Sequence, residues 1–281
     1  MYKENQKKTI NGITTIKDKE EKAVVCYINK FTDGLKDEIR SMFCGIYHGK
    51  LAAEENKEIY NYKNTIKIFL ERYKNKNDSI KKGMIAELLV HLLITVYIPK
   101  LEAVSVYKNK EERSIKKGFD IVYFNKNKLW YCEVKSGGDC DNGDVNTYNG
   151  NLLNNAKNQL KKSTNSVRNE LWDSVLIDLN STIFQSEKRE TIKQLLHKDH
   201  PNAEVRNSDR NVLVTSVLYK PLTSKITLEK LCDQKDLINN ENIFNELIIF
   251  SIQKETYQKI ENFLIDEISE HEKDNAKTTT T

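Results

Sequence analysis

Residues 84–96, MIAELLVHLLITV, form the longest apolar stretch of the chain, and only Glu87 and His91 bring titratable groups into it. The stretch is too short to span a bilayer, and Pro99 follows it closely as a stop signal. It therefore predicts a helix of about 13 residues with little solvent exposure. A chain that buries such a helix needs other apolar elements on several sides of it.

Runs rich in β-branched and aromatic residues follow this helix. Two of them, GFDIVYF (118–124) and LWYCEVK (129–135), flank the polar segment NKNK (125–128) and predict a β-hairpin. The remaining predicted strands are 23–29, 102–107, 211–219 and 246–252, and the remaining predicted helices are 33–44, 51–75, 151–167 and 255–271. The central order of helix, three strands, helix and strand predicts an α/β fold, in which helices flank a mixed sheet. Residues 1–22 are polar and predict a loose segment.

The composition excludes several classes of protein. The five cysteines are odd in number and never spaced as CxxC, which argues against a disulfide framework and a zinc knuckle. The N-terminal residues contain no apolar segment typical of a signal peptide, so we expect a soluble, cytoplasmic protein without a membrane partner. The net charge of +4 permits a polyanionic partner without requiring one. Residues 57–82 hold eight Lys/Arg against three Asp/Glu, which indicates either a nucleic-acid surface or the lysine-rich composition of an AT-rich genome.

The triplet Glu133-Val134-Lys135 lies in one of the predicted strands. Residues two apart in a strand project from the same face, so a carboxylate and an ammonium stand side by side in an apolar setting. The triplet E-x-K also occurs at 20–22 and 55–57, but there the context is polar and the charges are typical of a surface. Taken alone, the strand triplet is better explained by a salt bridge at the end of the strand than by a catalytic site.

Two further carboxylates favour the catalytic interpretation. Asp120 is the only charged residue of the neighbouring strand, and the hairpin would bring it close to Glu133 and Lys135. Glu87 is the only acid of the apolar helix, and His91 lies on the same helical face, where core packing is its favoured role. Clustered carboxylates repel one another unless a cation is bound, and oxygen ligands without His or Cys favour Mg²⁺ or Mn²⁺. The predicted metal ligands are Asp120, Glu133 and Glu87, with Lys135 beside them.

This pattern over residues 81–220 resembles the PD-(D/E)xK nuclease superfamily, whose core is a restriction-endonuclease-like mixed sheet flanked by helices. Phe119 stands where the superfamily name places a proline. Some members carry Gln and Tyr one turn apart in the next helix; here Gln159 matches the first position and Ser163 occupies the second. The resemblance implies a nuclease core (81–281). For the N-terminal α/β extension (1–80), which would pack on this core, we expect a partner-binding or regulatory role.

Within the superfamily the chain is most similar to the nuclease subunit of Hachiman-type anti-phage systems, because its length and the spacing from Gly83 to Glu87 match. The resemblance implies a Mg²⁺-dependent endonuclease that acts on DNA together with a superfamily 2 helicase. Gln159, Lys157 and Lys161 would then contact the substrate, and Gly137-Gly138 would leave room for it. The alternatives are a stand-alone restriction-type endonuclease and a nuclease-fold binding or assembly module without catalysis.

Overall fold

The computed structural model describes residues 6–108, 119–138, 144–165, 170–200 and 207–278. Within these ranges, eight strands form one sheet. In chain order the strands are β1 (Gln6–Ile10), β2 (Ile13–Lys17), β3 (Ala23–Ile28), β4 (Glu102–Ala103), β5 (Ile121–Asn125), β6 (Lys128–Gly137), β7 (Asn211–Tyr219) and β8 (Glu246–Lys254). Their order across the sheet is β1-β2-β3-β8-β7-β6-β5-β4.

Helices cover both faces of the sheet. They are α1 (Asp33–His48), α2 (Lys50–Glu55), α3 (Tyr62–Lys74), α4 (Asp78–Tyr97), α5 (Val145–Asn165), α6 (Glu170–Thr182), α7 (Ser186–Asp199), α8 (Leu228–Asn240) and α9 (Gln258–Thr278). Apolar side chains of α1, α3, α4 and α9 pack in one core, and those of α5, α6, α7 and α8 pack in a second core on the opposite face. The predicted α/β fold with a mixed sheet between helices is confirmed.

The middle of the sheet is parallel and its two margins are antiparallel. Strands β3, β8, β7 and β6 run in the same direction, whereas β1 and β2 on one side and β5 and β4 on the other alternate in direction. The central strands β3 and β7 are buried along their whole length, which explains why their sequences read as continuous apolar runs. Their carboxyl ends lie at one edge of the sheet, together with the end of β6.

The predicted hairpin is confirmed, and its turn has a clear physical basis. Asn125 pairs with Lys128, so only Lys126 and Asn127 form the loop. Both loop residues have positive φ, 46° and 58°, as a type I′ turn requires. This tight turn fixes the register between β5 and β6, and with it the position of Asp120 relative to Glu133.

Several predicted boundaries were wrong. The apolar helix begins at Asp78 instead of 84, because the side chain of Asn77 caps it by accepting from the Ile80 amide. The single helical region predicted at 51–75 is divided into α2 and α3 by the segment 56–61. Only two residues of the run 102–107 are in a strand, and the helix predicted at 151–167 begins at Val145. Helices α6, α7 and α8 were not predicted.

The N-terminal residues are built into the same sheet as the rest of the chain. Residues 6–17 form a β-hairpin, so the prediction of a loose segment was wrong for this part. Strand β3 pairs in parallel with β8, and α1 and α3 pack in the same core as α4. The α/β extension predicted for residues 1–80 is therefore continuous with the sheet, and its partner-binding or regulatory role stays a prediction. None of the helices in the described ranges has the length and apolar character needed to cross a membrane.

Candidate functional site

Asp120 and Glu133 lie side by side at the end of the hairpin. The register pairs Ile121 with Cys132, and one further step places Asp120 opposite Glu133. The backbone amide of Val134 donates a hydrogen bond of 2.8 Å to Asp120 Oδ2, which holds this carboxylate against the strand of the triplet. Strand alternation puts both carboxylates on the face of the sheet that α5 covers, because Val122 and Tyr131 on this face belong to the core of α5.

Lys135 shares a hydrogen-bonded ion pair with Glu133. Lys135 Nζ lies 2.6 Å from Glu133 Oε1, and the Glu133 side chain is 8% exposed whereas that of Lys135 is 35% exposed. The carboxylate is therefore nearly buried, while the ammonium reaches solvent. The salt bridge considered from the sequence is present, and it leaves one end of the pair accessible from outside.

All three predicted carboxylates act electrostatically on Lys135. Burial acts to lower the pKa of this ammonium, but Glu133, then Asp120 and then Glu87 favour the charged form, and the net pKa is raised above its ordinary value. Lys135 is therefore a protonated cation at neutral pH. Glu87 contributes least, since its helix α4 packs with the core on the opposite face of β6.

The oxygen atoms of these carboxylates are donors that suit Mg²⁺ or Mn²⁺. They are too few to complete the coordination of such an ion by protein ligands alone. In the described parts of the chain, no group of three His, Cys, Asp or Glu side chains is close enough to hold one metal ion. Mg²⁺ is commonly held by one or two carboxylates, with water and substrate phosphates as the other ligands. Asp120 and Glu133 fit this pattern as direct ligands, whereas Glu87 lies on α4, which packs at the opposite face of β6.

The two glycines that end the strand have a different role from the predicted one. A Cβ atom at Gly137 would lie 2.5 Å from the hydroxyl oxygen of Tyr148, and one at Gly138 would lie 2.6 Å from the carbonyl oxygen of Tyr219. The space next to these glycines is thus filled by the protein itself. Gly137 permits the ring of Tyr148, in the first turn of α5, to lie directly against β6.

Tyr148 was missed by the sequence reasoning. The signal available in the sequence is its place in the first turn of the helix that follows the strand and the Gly-Gly pair. A tyrosine in an Asn-rich helix has no unusual pattern of its own, so only the packing of α5 on β6 reveals its position.

His91 is a core residue, as the sequence favoured. It is 1% exposed, and burial lowers its pKa to about 3. Its Nε2 atom has no hydrogen-bond partner, and its ring lies edge-on to Tyr107 at 6.3 Å between centroids. The histidine is therefore neutral and packed, and it does not act as a metal ligand or phosphate contact in this structure.

The predicted substrate-binding residues of α5 lie away from the carboxylates. The main chain of Thr164, near the end of α5, accepts from Arg210 just before β7 begins, so this end of the helix lies at the opposite edge of the sheet from Gly137. Gln159 is exposed and donates to Ser163 at 3.4 Å, and Lys161 is also exposed. Neither is brought together with Glu133.

Lys157 was expected on the outer face of the same helix, and this placement was wrong. The residue is 8% exposed, and its Nζ lies 2.5 Å from Glu241 Oε1, at the end of α8. The helix packs against α8 on this side, so the lysine joins two helices instead of lining a groove.

A family model named HamA matches residues 3–278, which is nearly the whole chain. Among curated proteins, no match to the chain was found.

Proposed function

The chain belongs to the HamA family, the Hachiman anti-phage defence proteins, and on this premise we propose that it is a metal-dependent nuclease that hydrolyses DNA phosphodiester bonds. The observation that carries the proposal is the arrangement of Asp120, Glu133 and Lys135 on one face of two paired strands. The hairpin register holds the carboxylates together, and the lysine beside them extends toward solvent. Two neighbouring carboxylates, of which Glu133 is buried, cost free energy on folding unless cations such as Lys135 or a bound metal ion compensate their charge.

Each residue has a distinct role in the proposed reaction. Asp120 and Glu133 would hold Mg²⁺, and the negative charge of Glu87 on α4 would favour a cation at this site. When bound, the metal lowers the pKa of a water ligand and neutralises phosphate charge. Lys135 is a compact cation beside the carboxylates, so it orients the scissile phosphate and stabilises the negative charge that develops on it.

A superfamily 2 helicase is the proposed partner. Support for it comes from the family, since Hachiman is a defence system of more than one protein. Recovery of a helicase on purification of the tagged protein from its native host would support this assignment. Activity of the purified chain alone, with no helicase recovered, would favour the stand-alone endonuclease.

The nuclease proposal is tested by nicking of supercoiled plasmid in Mg²⁺ with wild-type protein, Glu133→Gln and Lys135→Ala. Both substitutions should lower the rate by at least about a hundredfold, because each removes a group that acts on the transition state. The E-x-K triplet at 55–57 provides matched controls, since Glu55 at the end of α2 and Lys57 just after it are both exposed. Glu55→Gln and Lys57→Ala should cleave like the wild type. Undiminished cleavage by both site variants would show that the assigned site is wrong.

The ion pair between Glu133 and Lys135 favours one alternative, a binding module whose cleft holds a salt bridge and no metal. Calorimetric titration with Mg²⁺ separates the two functions without relying on activity. The nuclease should bind the metal with an affinity that falls in Asp120→Asn and Glu133→Gln. A wild-type titration that is indistinguishable from that of the variant carrying both Asp120→Asn and Glu133→Gln would support the binding module.

A further inference from the structure

The hydroxyl group of Tyr148 lies at the edge of the candidate site. Its oxygen is 2.5 Å from the position that a Cβ of Gly137 would take, and the nearest ring carbons are at 3.1 and 3.2 Å. A glycine at 137 is therefore required for this approach. The phenol of Tyr148 therefore occupies the space that a side chain at position 137 would fill.

Gly137 belongs to the same row of the strand as the catalytic pair. Residues 133, 135 and 137 alternate with 134 and 136, so all three face α5. Successive residues of one row are about 7 Å apart along the strand. The Tyr148 hydroxyl is thus roughly one phosphate spacing beyond Lys135, on the same face and toward the carboxyl end of β6.

The environment of Tyr148 leaves this hydroxyl available to a ligand. Its side chain is half-buried and its ring packs with the core beneath α5, which restricts its orientation. Within the described ranges, no side chain or main-chain group forms a hydrogen bond with the hydroxyl. Other tyrosines of this core are engaged: Tyr131 donates to Asp199, and Tyr27 donates to the carbonyl of Ile226.

The first turn that carries Tyr148 is held firmly in place. Asp144 accepts from the amide of Thr147 at 2.8 Å and from its hydroxyl at 3.0 Å, and the amide of Tyr148 donates to the Asp144 carbonyl at 3.0 Å. One turn of helix ordered in this way presents the phenol with little loss of conformational entropy on binding.

We propose that Tyr148 is a substrate-positioning residue, whose hydroxyl donates a hydrogen bond to a phosphate of the DNA strand next to the one held by Lys135. This inference rests on the proposed nuclease function. A phenol suits the role because it adds a donor without another positive charge, and its two torsions are restricted by packing.

The test compares Tyr148→Phe with wild type in full-length protein, since this substitution removes only the hydroxyl. The nicking rate in Mg²⁺ should fall by about tenfold to a hundredfold, as expected for a misplaced scissile group. Binding of a fluorescent DNA duplex, measured by anisotropy in the inactive Glu133→Gln background, should weaken by about tenfold, because the lost donor served a charged acceptor. Mg²⁺ titration and urea unfolding should be unchanged, and this separates the positioning role from a structural one.

Tyr60→Phe is the matched control. Tyr60 lies between α2 and α3, where its ring stacks on His48 at 4.0 Å, and it should retain wild-type cleavage and binding. Wild-type-like cleavage and DNA binding by Tyr148→Phe, with Glu133→Gln inactive, would overturn the role of Tyr148 and leave the nuclease intact. An inactive wild type would contradict the nuclease proposal, and the anisotropy comparison would then still decide whether Tyr148 contacts DNA.

Gly137→Ala gives an independent check. The added methyl group overlaps the Tyr148 hydroxyl, so it should displace the phenol and slow cleavage in the wild-type background. In the Tyr148→Phe background the closest overlap is gone and no donor remains to be misplaced, so the alanine should have a smaller effect on cleavage. Strictly additive effects of the two substitutions would contradict the proposed coupling.

Discussion

The same three-letter pattern, E-x-K, has different physical consequences at two places in this chain. Glu133 is 6% exposed and hydrogen-bonded to Lys135, whereas Glu55 and Lys57 are both exposed to solvent. Water screens the second pair, but the first pair depends on its partner for charge compensation. Because Glu133 is buried, its charge and that of Lys135 stabilise each other, whereas exposed charges of the same pattern are nearly independent.

This interdependence predicts an asymmetric effect on stability. In the absence of divalent metal, Lys135→Met should lower the free energy of unfolding by about 1–2 kcal/mol, because it leaves the buried Glu133 carboxylate beside Asp120 without its cation. Glu133→Gln should cost less, since it removes one of two neighbouring like charges. Urea unfolding in EDTA measures both values, and equal losses would contradict the asymmetry.

His91 predicts a dependence of stability on pH. Burial lowers the pKa of this histidine to about 3 in the folded protein, against about 6.5 in the unfolded chain, so the unfolded state binds more protons between these values. Stability contributed by the neutral ring is full above pH 6.5 and is lost progressively as the pH falls toward 3. His91→Leu should reduce the slope of unfolding free energy against pH, between pH 6 and 4, by about 1.4 kcal/mol per unit.

Unfolding curves at pH 6.0, 5.0 and 4.0 provide this slope. His197 is a suitable comparison because it lies on α7, near the other edge of the sheet, and its exposed side chain makes His197→Leu a surface change. A slope unchanged by His91→Leu would show that His91 titrates equally in both states.

The sequence identified the charged residues of the site but not its aromatic one. Glu87, Asp120, Glu133 and Lys135 were recognisable because each interrupts an apolar pattern, and local periodicity is enough to detect such an interruption. Tyr148 was not singled out and Lys157 was placed wrongly, since their environments depend on which side of α5 meets β6 and which meets α8. That choice is made by tertiary packing and leaves no local signal.

At the scale of elements, a buried polar network fixes α5 on the sheet. The side-chain amide of Asn149 donates to Ser251 Oγ at 3.2 Å and accepts from Ser216 Oγ at 2.7 Å, and the two serines lie 2.8 Å apart. The network links α5 to both β7 and β8. It stands one residue from Tyr148, so it also determines how the first turn of α5 meets the candidate site.

Asn149→Ala should therefore affect stability and cleavage together. Both serine hydroxyls lose a buried partner, and the free energy of unfolding should fall by about 1–3 kcal/mol. Asn155→Ala, on the exposed side of the same helix, should change it by less than about 0.5 kcal/mol. Denaturant unfolding and plasmid nicking on both variants test the link, and equal stabilities would contradict it.

Element types were predicted better than element boundaries. Strands β3, β7 and β8 read clearly because burial on both faces selects continuous apolar residues. The start of α4 was misplaced because its first turn is polar and is set by the Asn77 cap and an ion pair between Lys82 and Asp78. Helix α7 buries only Ile192 and Leu196, so its apolar stripe is narrow and its sequence pattern is weak.

At the scale of the whole molecule, the N-terminal third and the rest of the chain share one sheet. The predicted boundary at residue 80 falls inside α4, and β3 supplies the neighbour that β8 pairs with on one side. A separable regulatory domain would instead have its own core and few contacts across the boundary.

Deletion of residues 1–80 should therefore prevent folding. The remaining chain would expose the edge of β8 and the apolar face that α1 and α3 cover, so insoluble or unfolded protein is expected. Deletion of residues 1–10 is the control, because β1 is an exposed strand at the margin of the sheet and its loss uncovers no part of the core. Circular dichroism and size-exclusion chromatography distinguish the two, and a folded, monomeric 81–281 fragment would contradict the prediction.

The pairing of β3 with β8 also affects how the protein forms during synthesis. Ala23 pairs with Ile249, so β3 cannot complete its pairing until β8, which lies much later in the sequence, has been synthesised. Contacts between residues so distant along the chain form slowly, because a long loop must close before they contribute. The sheet that holds Asp120 and Glu133 is consequently completed only after nearly all of the chain has left the ribosome. A nascent or truncated chain would lack an assembled candidate site, so any activity of this site would have to wait for the complete sheet.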